Sequence, residues 1–208
     1  AKDLLPADGV RTYSLAAPFS VRSTTELDTY IKKNDGAYTF KSVSNFAIRE
    51  AGKSLAQVYA INMTSQQWRT SADIYTGDGE NRTLWTHPLI IVDPTERKSD
   101  TAVLYITGGS RNSSLPANTD SFDGEELLLA TMAVMTACPV AILKNVPSQP
   151  IIFTDEVTAA TTTEEALKLR ERTEDAIIAY TYDKYMEAYN AGTVDAENPW
   201  PLLFPMTK

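Results

Sequence analysis

The chain has few residues that could hold a metal or carry redox chemistry. Among its 208 residues there is one cysteine, Cys138, and one histidine, His87. A lone cysteine cannot form a disulfide within the chain, and one imidazole, one thiol and scattered acids do not make a zinc site. Cys138 lies in an apolar run, where we expect a buried, inert thiol. The sequence therefore predicts neither a metal nor another cofactor.

Positive charge and long apolar runs are also scarce. The formal net charge is -8, and the sequence pI is about 4.7. A nucleic-acid partner would need a basic surface to neutralise phosphates, so this balance excludes one, and it also argues against an anionic membrane surface. No apolar run reaches the roughly 20 residues that span a bilayer. We expect a globular protein without a membrane span.

The start of the chain and three sequons bear on its location. The stretch from Ala1 to Pro6 lacks the basic start and the apolar core of a signal peptide, as expected if a leader has been removed. Asn-x-Ser/Thr sequons occur at Asn62, Asn81 and Asn112. We therefore predict a secreted, extracellular glycoprotein, with a lysosomal or vesicular compartment as the alternative.

Periodicity divides the chain into an amino-terminal arm with short elements, residues 1–50, and an α/β region, residues 51–208. The arm contains a candidate helix (24–33) and a candidate strand (37–46). The α/β region has candidate strands at 55–64, 89–92, 102–106 and 140–143, and candidate helices at 123–137 and 162–190. The order strand, helix, strand favours a parallel sheet with helical crossovers. Helix 123–137 is apolar nearly all round, which predicts that it packs between the sheet and something else. Helix 162–190 is expected to break near Thr173. Its apolar stripe is expected to lie in the protein core or at an interface, and it consists of Ile178, Tyr182, Tyr185, Met186 and Tyr189.

Two patterns resemble catalytic motifs without their structural context. Residues 47–54 (AIREAGKS) fit a relaxed phosphate-binding loop, but they lead into a strand rather than a helix. Gly52 to Ala56 is the nearest match to a nucleophile elbow, yet it precedes a strand where an elbow must follow one. His87 precedes Pro88 at the start of a strand, where a structural histidine is favoured over a catalytic one.

A glycine pair follows the candidate strand 102–106. Gly108 and Gly109, with Ser110 next to them, could turn the backbone sharply and present N–H groups as an oxyanion-binding loop. A plain turn between strand and loop is the alternative, and the pair alone favours it.

Several features occur together in an order that resembles one family. They are Trp85-Thr86-His87, Ile106-Thr107-Gly108-Gly109, Val146-Pro147-Ser148-Gln149-Pro150, the stretch from Arg172 to Thr181, and the ending from Trp200 to Lys208. This set resembles the PhoPQ-activated pathogenicity-related proteins, which include autocrine proliferation repressor proteins. The resemblance covers residues 25–208, and Ser148 departs from it because Asn is expected there.

The resemblance implies a longer secreted protein, of which this chain is the amino-terminal half of an α/β-hydrolase-like fold with a mostly parallel sheet flanked by helices. It places the nucleophilic serine and the later acid and histidine beyond Lys208. The expected partner is therefore the carboxy-terminal half, as a continuation or a separate chain, and a protein receptor is a further possibility. Two functions stay open: an extracellular factor or assembly subunit without catalysis, and a serine hydrolase completed by the other half.

Overall fold

A computed structural model describes residues 24–111, 113–161 and 163–208. Its elements form a five-stranded sheet with the order β1-β2-β3-β5-β4 and helices around it. The strands are β1 Thr39–Glu50, β2 Lys53–Gln67, β3 Leu84–Pro94, β4 Val103–Ile106 and β5 Val140–Leu143. The helices are α1 Glu26–Lys32, α2 Gly124–Thr136, α3 Glu164–Lys168, α4 Glu174–Ala191 and α5 Leu203–Thr207, with short 3-10 turns at Thr119–Ser121, Thr154–Glu156 and Ala159–Thr161. Residues 1–23 of the predicted arm lie outside the described residues.

The predicted mostly parallel sheet is wrong. Strands β1, β2, β3 and β5 pair antiparallel in succession, and only β4 and β5 are parallel. Parallel neighbours need a long crossover, usually a helix, and α2 supplies one only between β4 and β5. The sheet is therefore mixed and mostly antiparallel, and the expected α/β-hydrolase-like sheet is not what this chain forms.

The hairpin between β1 and β2 explains the stretch that resembles a phosphate-binding loop. Ala51 and Gly52 both have positive φ, 46° and 83°, which is the signature of a two-residue type I′ turn. Such a turn joins adjacent antiparallel strands and does not open a helix. Residues 47–54 therefore belong to a hairpin rather than to a nucleotide site.

One face of the sheet packs against α2. A row of opposed residues on this face runs through Ala60, Ile90 and Ile142, and all three are fully buried. Leu129, Ala130 and Ala133 of α2 belong to the same core cluster. Asp123 caps α2 through a capping box with Glu126, which fixes where the helix begins. This contact is the main core of the sheet.

A second core lies at one end of the sheet, on the opposite face. It gathers aromatic and aliphatic side chains from α1, β3, α4 and the connecting segments: Tyr30, Trp68, Ile74, Trp85, Ile151, Phe153, Ile177 and Leu202. Helix α4 contributes Ile177 and, beside the cluster, buried Thr181. The predicted apolar stripe is not core at Tyr182, Met186 and Tyr189, because these residues are exposed.

The rest of that opposite face is open. Two rows of directly opposed residues cross four strands there, and opposed residues share a face of a sheet. Their members are half-buried or exposed although nearly all are large and apolar. We call this set the open face: Tyr59, Ile61, Leu89, Ile91, Leu104, Ile106, Ala141 and Leu143. Tyr59, near the middle of β2, is therefore exposed.

Substitution of two adjacent isoleucines in β3 tests the difference in burial between the two faces of the sheet. Ile90 is fully buried beneath α2, whereas Ile91 lies on the open face. We expect Ile90→Ala to lower the free energy of unfolding of the purified chain by about 2–5 kcal/mol, because it leaves a cavity. Ile91→Ala should cost clearly less, since its side chain is only partly removed from water. Urea unfolding measures both, and equal losses would contradict the assignment of the two faces.

Candidate functional site: the Asn145–Pro150 turn and the Ser65–His87 pair

The loop after β5, residues 145–150, is the point where several elements meet, and we call it the Asn145–Pro150 turn. Asn145 is fully buried and has a positive φ of 62°, a conformation that asparagine tolerates better than most residues. Its Nδ2 donates to the carbonyl of Thr86 at 2.8 Å, and its Oδ1 accepts from the Gln149 N–H at 3.3 Å. The Val146–Pro147 and Gln149–Pro150 peptide bonds are both cis. The hydrogen bond to the Thr86 carbonyl ties the turn to the start of β3.

The glycine loop after β4 lies against this turn. The N–H of Asn145 donates to the carbonyl of Gly108 at 2.9 Å. Gly109 has a φ of 141°, and a Cβ there would lie 3.3 Å from the Asn145 nitrogen, so both conformation and space require glycine. The neighbouring Ser110 N–H donates to Ser113 Oγ at 3.3 Å. The three residues predicted as an oxyanion loop therefore form a turn packed on Asn145, and their role in catalysis stays a prediction.

Ser148 joins the turn to Arg111. Its fully buried Oγ accepts from Arg111 at 2.7 Å and from the Thr86 N–H at 3.3 Å. The same guanidinium also donates to the carbonyls of Asn81 and Leu84. Burial lowers the pKa of Arg111, against the opposing charge of Glu80. Ser148 thus supplies one of the oxygen atoms that replace water around this cation.

Gln149 connects the turn to helix α4. Its Nε2 donates to the Gly109 carbonyl at 3.1 Å and to Glu174 Oε1 at 3.3 Å, while its Oε1 accepts from the Glu174 N–H at 2.8 Å. Glu174 is the first residue of α4 and has a positive φ of 39°. The Gln149 amide therefore occupies the place of a cap at the start of this helix.

His87 contacts a serine that no sequence motif marks. Its Nε2 lies 2.9 Å from Ser65 Oγ, and its Nδ1 lies 3.0 Å and 3.2 Å from the carbonyl oxygens of Asn145 and Lys144. Carbonyls only accept, so Nδ1 carries the proton and Nε2 accepts the Ser65 hydroxyl hydrogen. Ser65 lies at a bulge in the β2–β3 ladder, where pairing shifts between Thr64 and Gln66.

The environment of His87 favours its neutral form. Only 3% of the residue is exposed, and this burial lowers its pKa below the usual 6.5, although the two carbonyls oppose the shift and Arg111 adds to it. One of those carbonyls belongs to Lys144. Burial disfavours the charge on its Nζ, but hydrogen bonds to Asp123 and Glu126 outweigh that effect and raise the Lys144 pKa. The start of α2 thereby helps to hold the backbone that orients His87.

The remaining predicted positions do not join this site. The side chains of Asn62 and Asn81 are exposed, in β2 and in the loop before β3, and Asn112 lies outside the described residues. Cys138 is half-buried rather than buried, with Sγ 3.0 Å from the Thr101 carbonyl. Within residues 24–111, 113–161 and 163–208 no group of three or more acidic, His or Cys side chains could hold a metal. In the same ranges no helix is long and apolar enough to cross a membrane.

Comparison with protein families gives a match over most of the chain. The family model for the PhoPQ-activated pathogenicity-related protein matches residues 27–208. The chain belongs to this family. Neither a curated protein nor a solved structure gives a significant match.

Three of the other motifs that carry the family resemblance, far apart in the sequence, meet at the Asn145–Pro150 turn. Thr86, Gly108 and Glu174 come from three of them, and each hydrogen bonds with a residue of the turn. Sequence reasoning missed Ser65, because a bulge in a strand leaves no motif. It also missed Arg111, although a lone cation between Ser110 and the run Asn112-Ser113-Ser114 is a signal that could have marked it as a candidate site residue.

The single histidine allows a direct test of its environment. We expect the His87 ring signals to titrate by NMR with a midpoint below 6.5, because burial favours the neutral ring. The unfolded chain then binds more protons than the folded chain, so the free energy of unfolding should decrease as pH falls below about 6.5, by up to about 1.4 kcal/mol per pH unit. His87→Asn retains a donor near Nδ1 and should lose this component. A midpoint at or above 6.5 would contradict the assignment.

Removing the Ser148 hydroxyl should destabilise the turn. In Ser148→Ala the Arg111 guanidinium and the Thr86 N–H lose a buried acceptor, which typically costs about 1–3 kcal/mol. Ser71→Ala, at an exposed position, is the control and should stay within about 0.5 kcal/mol of the parent. Chemical denaturation of the three proteins measures the difference, and equal stabilities would count against a role for Ser148.

Proposed function

We propose that this chain works outside the cell as one part of a larger assembly, in which a second folded segment covers the open face and the β4 edge. The observation that carries this proposal is the open face itself. A sheet face exposed to water is normally polar, whereas this one presents large apolar side chains. Contiguous apolar surface of this kind marks an interaction site in soluble proteins.

The exposed strand β4 supports the same conclusion. Its four residues are all exposed, and in the described part of the chain it pairs with β5 alone. Its side chains, Val103, Leu104, Tyr105 and Ile106, are apolar or aromatic on both faces, a composition typical of strands buried between two layers. The free backbone edge of such a strand is a template for a further strand.

Helix α2 supports an interface on the other side of the sheet. Its Leu129, Ala130 and Ala133 pack on the sheet, while Leu127, Leu128 and Met135 point away from the core and are exposed. The sequence predicts that this helix packs between the sheet and a second element. The same covering segment would therefore contact the molecule on both sides of β4.

We infer that the covering segment is the carboxy-terminal half of the same protein, as a continuation of the chain or as a separate chain. A segment that evolved with this one would match its apolar surface on two faces and one edge. Family membership supports this identity, because the resemblance implies a longer protein. A protein receptor remains the alternative partner.

Extracellular action is supported by the exposed sequons. Asn62 shares its side of β2 with Ala60 and Val58, so a glycan there would project away from the open face. Asn81 lies in the loop between β2 and β3, where its Oδ1 accepts from Thr83 Oγ1 at 2.7 Å. A sugar at Asn62 would therefore leave the open face free.

The proposed assembly role does not need catalysis by a triad in this chain. Among the described residues the one histidine has backbone carbonyls, not a carboxylate, at Nδ1. A serine hydrolase completed by the other half is the second function implied by the family resemblance, and its serine, acid and histidine would come from that half.

Matched substitutions on the two sheet edges test the proposal. Leu104 in β4 is 57% exposed, and Val43 in β1, at the other edge, is 56% exposed. Leu104→Lys should weaken binding of a separately produced carboxy-terminal half at least about tenfold, because the charge would be buried at the interface without a partner. Val43→Lys should bind as the parent does.

Binding is measured by titration calorimetry or by co-elution, after circular dichroism has shown that both variants are folded. Absence of any complex with the parent, or equal loss in both variants, would refute the role of the β4 edge.

A further inference from the structure

We propose that Ser65 and His87 form a reactive pair, in which Ser65 is a nucleophile for short acyl esters and His87 is its general base. The geometry is that of a nucleophile held by its base: Ser65 Oγ lies 2.9 Å from His87 Nε2. Since Nδ1 donates to two carbonyls, Nε2 is the nitrogen that is free to take the serine proton. No catalytic motif in the sequence marks this pair.

The ring is oriented from behind by backbone instead of by a carboxylate. In a triad, the third group fixes the tautomer and stabilises the cation that forms. Here the carbonyls of Lys144 and Asn145 fix the tautomer, and their dipoles face the ring proton. Lys144 and Asn145 are themselves held by side-chain hydrogen bonds to α2 and to β3, so the base is pre-positioned.

A cavity lies next to the pair. It has a volume of about 140 Å³, and Ser65 and His87 both line it. Most of its other walls are apolar: Met63, Trp85, Ile106, Leu143, Val146, Pro205 and Met206. This size and polarity suit a short acyl chain rather than a peptide or a sugar. Ser65 is half-buried, whereas His87 is buried.

One wall of the cavity contains a buried donor without a partner. Trp85 is 1% exposed, and among the described residues its Nε1–H has no hydrogen-bond acceptor. A buried donor without an acceptor costs free energy, and buried indole N–H groups usually find a partner. The nitrogen itself is buried within the wall, so a carbonyl oxygen of a bound ester could accept from it only after a shift of the indole ring.

The proposed reaction is acyl transfer. Ser65 Oγ bonds to the acyl carbon of the ester while its proton moves to His87 Nε2. The tetrahedral intermediate then breaks the bond to the leaving oxygen, which departs as an alcohol with that proton. Water repeats the sequence on acyl-Ser65 and releases the carboxylic acid, so the pair is regenerated without any other reactant.

The test uses a biotinylated fluorophosphonate on the protein as isolated, with the site of attachment mapped by peptide mass spectrometry. We expect the label on the peptide containing Ser65 and none there in Ser65→Ala. His87→Asn keeps a donor for the two carbonyls but lacks the base, and it should slow labelling about 10²–10⁴-fold. Ser71→Ala should label at the parental rate. A label confined to another serine, in this chain or in a companion segment, or unchanged labelling in His87→Asn, would overturn the proposal.

A cysteine variant gives a second readout that does not depend on the phosphonate fitting the cavity. In Ser65→Cys the introduced thiol would lie beside His87, which favours the thiolate. We expect iodoacetamide to alkylate the introduced thiol at least about tenfold faster than the natural Cys138 in the same molecule. Equal or slower alkylation would refute activation by His87. Neither experiment depends on assembly with a second segment.

Discussion

The left-handed backbone at Asn145 is the constraint on which the described site depends. It turns the chain after β5 so that the Asn145 amide reaches the Thr86 carbonyl while the Asn145 N–H reaches Gly108. The carbonyl oxygens of Lys144, just before the turn, and of Asn145 both face His87 Nδ1. Three neighbouring strands are therefore joined at one end by a few buried hydrogen bonds, which are costly to break because their partners would be left unpaired in a dry interior.

The end of the sheet at the Asn145–Pro150 turn, which we call the closed end, contrasts with the rest of the sheet. At the turn, polar groups are satisfied and aromatic side chains fill the space between the sheet and helices α1, α4 and α5. Further along the same strands, Ile91 and Tyr59 lie on the open face, where no helix of the described residues packs over them as α2 packs over the other face. Burial of apolar surface is the main favourable term in folding, so a fold that leaves such side chains exposed gains less stability than its composition allows. A partner of the kind proposed would supply this stabilisation by covering these side chains.

Local signals in the sequence predicted the elements better than their arrangement. Periodicity and apolar runs located all five strands and α2, and the expected break near Thr173 located the start of α4. Strand direction was missed because it depends on which strands become neighbours: β3 pairs with β5 rather than with β4, a choice made by tertiary packing. The position of His87 beside Pro88 favours a structural histidine, and its contact with Ser65 arises from a bulge that periodicity does not reveal.

Ser65 lies between the closed end of the sheet and the open face. His87, its partner, belongs to the closed end, where the backbone around its ring cannot move without breaking the Asn145–Pro150 turn. The cavity that Ser65 faces is lined further out by Ile106 and Leu143, which belong to the open face. A segment that covers the open face would therefore also form the outer wall of this cavity. Binding of the proposed segment would therefore also change access to Ser65, because Ile106 and Leu143 take part in both surfaces.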